Sequence, residues 1–189
     1  MANDNMPFIP STSELINANF VLSQGEIRQG MKVADLGCGT TGHFVFPAAE
    51  LIGKEGKVYA VDIQKGVLAA IESRGRLEGV ENVETVWSDI ERPGATKIPE
   101  ASLDLTLLIN NLFVAKQRDN LAREVIRLMA PGGRLVVADW KMTQAPFGPP
   151  VQDRVPPEEA KKLFTAHGLG LEKEFEAGKY HYGLVFKKS

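Results

Sequence analysis

Val33-Ala34-Asp35-Leu36-Gly37-Cys38-Gly39-Thr40-Thr41-Gly42 is the stretch on which the reading of this chain turns. An apolar run that reads as a buried strand leads into a turn with three glycines, and a helical pattern begins near His43. Glycine is needed where the backbone takes a positive φ or must approach a ligand without a Cβ in the way. A strand feeding a glycine-rich turn and a helix N-terminus is a site for a nucleotide-like ligand. Asp35, two residues before the first glycine, narrows the choice of ligand. A carboxylate there repels a pyrophosphate and attracts a cationic group such as the α-ammonium of an amino acid.

The next segment agrees. Lys57-Val58-Tyr59-Ala60-Val61-Asp62-Ile63 reads as a second strand ending in an acid. An acid roughly 20 residues past the glycines is placed to accept from both hydroxyls of a ribose. Ser88-Asp89-Ile90 follows a third strand pattern, and Leu128-Met129-Ala130-Pro131-Gly132-Gly133-Arg134-Leu135 precedes a fifth. On these four segments the chain resembles the class I S-adenosylmethionine-dependent methyltransferases, and the resemblance covers about residues 30 to 187. It is most similar to their ubiquinone/menaquinone-methyltransferase-like branch, whose first motif also continues into an apolar helix like residues 44–53.

The resemblance implies S-adenosylmethionine as cofactor, held by Asp35, Gly37, Cys38, Gly39, Asp62, Ile63, Ser88, Asp89, Ile90 and Asn110. In that family Asp89 accepts from the adenine amino group and its neighbour packs on the ring. The family turn runs Gly-x-Gly-x-Gly, whereas Gly39-Thr40-Thr41-Gly42 is one residue longer. The extra residue is expected to shift the third glycine and reshape the turn around the methionine tail. Relatives often place a histidine just after the fourth strand. Phe113-Val114 stand there, so no histidine base carries over and the catalytic residues stay unassigned.

Composition sets the outer bounds. The 189 residues suit one domain with a substantial core. Hydrophobic residues make up 43% and charged residues 24%, with a net charge of −2, so no domain-wide basic excess marks a general nucleic-acid binder. No apolar run approaches a membrane span, and Met1 to Pro7 show no basic-then-apolar secretory pattern. A cytoplasmic location is the expectation. One cysteine and three scattered histidines suggest neither a disulfide nor a metal site.

The organisation expected is an N-terminal arm and helix over 1–29, then a methyltransferase domain over 30–189. Ser13 to Gln24 read as a helix with Ser13 as its N-cap. Strand patterns fall at 32–36, 57–62, 83–88, 102–110, 133–140, 170–177 and 180–187, with helices at 43–52, 65–78, 117–130 and 157–168. This alternation predicts an α/β, Rossmann-like, seven-stranded, mostly parallel sheet with helices on both faces. The turn at 177–179 is too short for a crossover, so the last strand is antiparallel.

Asn110-Asn111 ends the fourth strand, where open α/β sheets collect ligands. Asn111 reads equally as a substrate contact or an Asx-turn. Residues 141–157 carry five prolines and leave from the edge where strands end, so they read as a semi-rigid flap. Trp140, Lys141 and Phe147 are its candidate substrate contacts. Cys38 reads as a small buried residue, because methyl transfer needs no enzyme nucleophile.

The function this reading supports is methyl transfer by in-line displacement to a small-molecule acceptor that the sequence does not name. The alternative is a non-catalytic S-adenosylmethionine-binding module or regulatory partner subunit. RNA and protein stay open as acceptors, and a second copy of the chain is a candidate partner.

Overall fold

The computed structural model describes residues 15–189. One seven-stranded sheet organises them, in the order β3-β2-β1-β4-β5-β7-β6. The strands are β1 (Lys32–Leu36), β2 (Lys57–Asp62), β3 (Val83–Trp87), β4 (Leu103–Ile109), β5 (Met129–Trp140), β6 (Leu169–Gly178) and β7 (His181–Lys188). The helices are α1 (Ala18–Gln24), α2 (Val45–Ile52), α3 (Lys65–Glu78), α4 (Arg118–Leu128) and α5 (Pro157–Ala166). Strands β1 to β5 run parallel, while β7 is antiparallel to both β5 and β6. The last strand is therefore reversed, as expected. It is seated between β5 and β6 rather than at the rim, which leaves β6 as the edge.

Burial explains the order. Six of the seven residues of β4 are buried, so β4 takes a central place between β1 and β5. One core lies under α1, α2 and α3 and includes Val21, Leu22, Val45, Ile52, Leu68 and Ile71 with Val33, Leu107 and Val185. The opposite face packs Leu121, Val125, Phe164 and Leu128 of α4 and α5 on Leu36, Leu108, Val137 and Phe186. Alternate residues of each strand feed the two layers.

Several boundaries differ from the sequence reading. The regular part of the first helix starts at Ala18, where the Asn17 side chain accepts from the Phe20 amide at 2.9 Å. Ser13, the expected cap, lies outside the described residues. α2 begins at Val45 rather than His43, because the long turn runs on to Phe44. β5 starts at Met129, four residues early, and a register shift opposite Leu103–Leu105 takes up the Pro131-Gly132-Gly133 corner. Helix periodicity had run through Met129 because that residue is buried in either conformation.

Candidate cofactor and acceptor site

The sheet order reverses between β1 and β4, which lie side by side while their connections lead to opposite faces. Crevices at such a switch point, beyond the carboxyl ends of the strands, are where open α/β sheets bind ligands. Here the crevice is a cavity of about 280 Å³, lined by Asp35, Gly37, Cys38, Gly39, Thr40, His43, Asn110 and Asn111 among others. Gly37 and Gly39 both take positive φ, 80° and 65°. A Cβ on Gly39 would meet nothing, so its backbone faces open space, whereas one on Gly37 would overlap the Asn111 amide.

Asp35 is 2% exposed, and its Oδ2 has no hydrogen-bond partner among the described residues. Burial, with the charge of nearby Asp62 adding to it, pushes its pKa up to about 7. A buried acid with an unmet oxygen at a ligand crevice is arranged to receive a donor. Asp62 is buried too, but it is satisfied: its Oδ1 accepts from the Gln64 amide at 2.9 Å and its Oδ2 from Gly39 at 3.3 Å. The amides of Gly37 and Cys38 donate to the Val61 carbonyl, which fastens the turn to β2. The Cys38 thiol is buried and its pKa is raised, by burial first and then by Asp35 and Asp62, which suits packing rather than reactivity.

The two asparagines divide. Asn111 donates to the carbonyls of Leu36 at 2.9 Å and Ile109 at 2.8 Å, so its amide ties β1 to β4. Asn110 takes a left-handed φ of 56°, and its Oδ1 is buried without a partner among the described residues. The longer turn closes on a tight contact. Gly42 (φ 57°) sits so close to Phe46 and Ile71 that a Cβ would lie 2.6 to 2.7 Å from their side chains. The turn runs on past Gly42 to Phe44, and α2 starts two residues later than expected.

The adenine-side candidates gather next door. Ile63, Ser88 and Asp89 line a second cavity of about 560 Å³ with Trp87, Arg92 and Lys97. Ile63 is 56% exposed, an apolar side chain held out from the end of β2. Asp89 accepts from the Glu91 amide at 3.0 Å, and Ile90 packs against the α4–α5 core. Buried Ser88 shares a hydrogen bond with Thr96 at 3.0 Å.

Trp140, Lys141 and Phe147 stand apart from both cavities. Trp140 is buried, with its ring centroid 6.1 Å from that of Phe147, and Phe147 meets Tyr180 at 5.3 Å. The Lys141 amine is held by the Glu176 carboxylate and the Lys179 carbonyl. Among the described residues no cluster of histidine, cysteine and acid side chains is gathered for a metal ion.

A family model described as a methyltransferase domain matches residues 27–181. The chain belongs to the class I S-adenosylmethionine-dependent methyltransferases. The methyltransferase is 30% identical over 167 residues to the ubiquinone/menaquinone biosynthesis C-methyltransferase UbiE of Cronobacter sakazakii, covering 86% of this chain and 61% of that one. It is 32% identical over 124 residues to the aklanonic acid methyltransferase DauC of Streptomyces sp. (strain C5), covering 64% and 54%. It thus spans about half to three-fifths of the length of these curated relatives. A solved SAM-dependent methyltransferase from Aquifex aeolicus superposes with a TM-score of 0.87 at 25% identity, over 96% of this chain and 94% of that one. Membership makes S-adenosylmethionine the cofactor, and the residues present fit it. An amino-acid ammonium finds an unmet buried carboxylate at Asp35, and the open backbone at Gly39 leaves room beside it.

Three polar groups of this methyltransferase escape a reading of the sequence. Asp139 is fully buried, and its carboxylate accepts the amides of Leu112 at 3.0 Å and Trp140 at 2.8 Å. Burial raises its pKa to about 6 against those hydrogen bonds. It fixes the segment just after the asparagines. A signal was present, since Asp139 follows an apolar strand as Asp35 and Asp62 do. Glu124 is also inaccessible and receives the amides of Gly94 at 2.6 Å and Thr96 at 2.9 Å. His181 is the third.

Proposed function

We propose that this methyltransferase alkylates a carbon atom of a small, flat molecule. The observation that carries the cofactor side is Asp35: a buried carboxyl with an unmet oxygen, at the switch point, beside two positive-φ glycines. The names of the relatives supply the acceptor side, since they include C-methyltransferases of ubiquinone and menaquinone biosynthesis. The aromatic cluster of Trp140, Phe147 and Tyr180 where β5 ends is consistent with a flat acceptor.

S-adenosylmethionine supplies, when bound, a methyl group on a positively charged sulfur, open to displacement in line by a nucleophile. Asp35 would hold the ammonium of the methionine tail, and Asp62 would hold the ribose hydroxyls. Ser88 and Asp89 would face the adenine, with Ile63 packed on its ring. Asn110, its Oδ1 unmet, would orient the tail or the acceptor. The protein's contribution is alignment and exclusion of water, an effect worth about 7–11 kcal/mol in favourable cases.

Two measurements test this. Calorimetry should show binding of S-adenosylhomocysteine and none of NAD. A screen with labelled methyl donor should then transfer label to a quinol or phenolic compound, with the label on a ring carbon by NMR. Label on nitrogen or oxygen would overturn the carbon assignment. Binding without transfer to small molecules, RNA or protein fractions would make the chain a binding module instead.

A further inference from the structure

His181 begins β7 with no accessible surface, and neither of its ring nitrogens has a hydrogen-bond partner among the described residues. An imidazole carries at least one N–H, and leaving a buried donor unmet is costly, so such groups call for an explanation. Its position supplies one. His181 pairs in register with Trp140, where β5 ends, and their ring centroids lie 4.2 Å apart. Residues two apart on a strand share a face. Val33, Ala138 and Val185 all belong to the core under α1–α3, so Asp35, Trp140 and His181 share that face at the carboxyl edge.

The same edge is crossed by the chain entering α1. The Leu15 carbonyl lies against Gly178, where a Cβ would collide with it while sitting 3.8 Å from the His181 Nδ1. One residue on, the Ile16 carbonyl lies 2.7 Å from the His43 Nε2, at the end of the cofactor turn. Leu15–Ile16 thus runs from His181 to the glycine turn. The ring beneath is kept neutral: burial, then the Lys141 amine and the Arg154 guanidinium, lower its pKa to about 4. A neutral imidazole offers one donor and one acceptor together.

We propose that His181 hydrogen-bonds the methyl acceptor, with Trp140 as the aromatic wall beside it and the Leu15–Ile16 crossing as the cover over His181. This rests on the methyl-transfer reading above. Its ring is a handle for a hydroxyl or carbonyl oxygen on a flat molecule, and Lys141 and Arg154 favour partial negative charge on that oxygen.

The test uses the full chain, with S-adenosylhomocysteine and 1-naphthol, a flat ring with one hydroxyl, as probes. S-adenosylhomocysteine should bind wild type, His181→Phe and His181→Asn alike. In its complex, 1-naphthol should shift the ¹⁵N resonances of the His181 ring. Naphthol affinity should fall about tenfold in His181→Phe, the size of one lost hydrogen bond. His181→Asn, which keeps a donor and an acceptor, should recover most of it. Equal naphthol affinity in His181→Phe, or no naphthol binding by the wild type at millimolar concentration, would overturn the proposal. A wild type that fails to bind S-adenosylhomocysteine would overturn the cofactor reading and the proposal together.

Discussion

Asp35 and Asp62 end adjacent parallel strands, yet their carboxylates are treated oppositely. Asp62 takes an amide on each oxygen, while the Oδ2 of Asp35 has no partner among the described residues. The charge of Asp62 adds to the burial that raises Asp35 to about 7. On the cofactor reading proposed above, the satisfied acid is set for the ribose, and the unsatisfied one holds a proton until the ammonium arrives.

Cofactor uptake should therefore release a proton. Without ligand, Asp35 is protonated below about pH 7. A bound ammonium favours the ionised form and lowers that value. By linkage, S-adenosylhomocysteine affinity should fall about tenfold per pH unit below 7 and level off above it. Calorimetry in buffers of different ionisation enthalpy should register up to one proton released per site at pH 6. In Asp35→Asn the pH dependence should vanish. Affinity for methylthioadenosine, which lacks the ammonium, should change little in the mutant. A pH-independent wild-type affinity would remove Asp35 from the ammonium. The sign for folding follows the same shift: a raised acid stabilises most below its unfolded value near 3.8, and that contribution is lost as pH rises through about 7.

Asp62→Ala should weaken S-adenosylhomocysteine by about 1.5–3 kcal/mol, the scale of hydrogen bonds to a charged group. The mutant also loses the acceptor for the Gly39 and Gln64 amides, so some of the loss reflects a looser turn. Adenosine, which keeps the ribose, should weaken as much, and homocysteine should not. A folded Asp62→Ala protein with unchanged adenosine affinity would show that the ribose lies elsewhere.

Glu124 governs the loop behind the adenine-side cavity. Burial would raise its pKa, but hydrogen bonds from Arg127, Gly94 and Thr96 outweigh burial and hold it at about 2. Thr96 in turn meets Ser88, and the Ser88 amide donates to Asp62. Glu124→Gln should destabilise the fold by about 3 kcal/mol, because it leaves Arg127 and one loop amide poorly matched. The wild-type contribution is present above about pH 4.5 and is lost as pH falls through about 2. The stability curves of wild type and mutant should therefore converge in acid. A constant gap down to pH 2 would show that the carboxylate charge is irrelevant.

How much of this was legible follows from the range of each interaction. The strand patterns, the glycine turn and the acids at 35 and 62 are local features, so the seven-stranded sheet and the cofactor turn could be read directly, while the strand order came from the structure. The seating of β7 between β5 and β6 could not, because a short hairpin fixes only which strand is reversed. Asn111 read evenly as ligand contact or turn residue. What decides its bonds is the Leu36 carbonyl, 75 positions away in sequence. Glu124 is engaged by the amides of the 94–96 loop, 28 to 30 positions away, a contact that no local helix pattern carries. His181 falls in the strand pattern at 180–187, where alternation gives a face but not the absence of a partner.

The flap after β5 offers a test that needs no acceptor. The Arg154 guanidinium donates to the carbonyls of Pro149 at 2.9 Å, Lys141 at 2.7 Å and Thr143 at 2.8 Å, so one side chain gathers the loop. Gly148, at φ 87°, is pressed on Trp140, where a Cβ would lie 2.5 Å from the ring. Gly148→Ala must therefore push the flap off the indole, and Arg154→Ala must release it. The chain has two tryptophans, and Trp87 is 59% exposed while Trp140 is buried. In a Trp87→Phe background the fluorescence reports Trp140 alone. The parent should be blue-shifted and shielded from iodide. Both flap variants should red-shift the emission and raise the quenching severalfold, with S-adenosylhomocysteine affinity held within about twofold. If Trp140 stays shielded in both, the flap is not what covers it, and the cover comes from the segment entering α1.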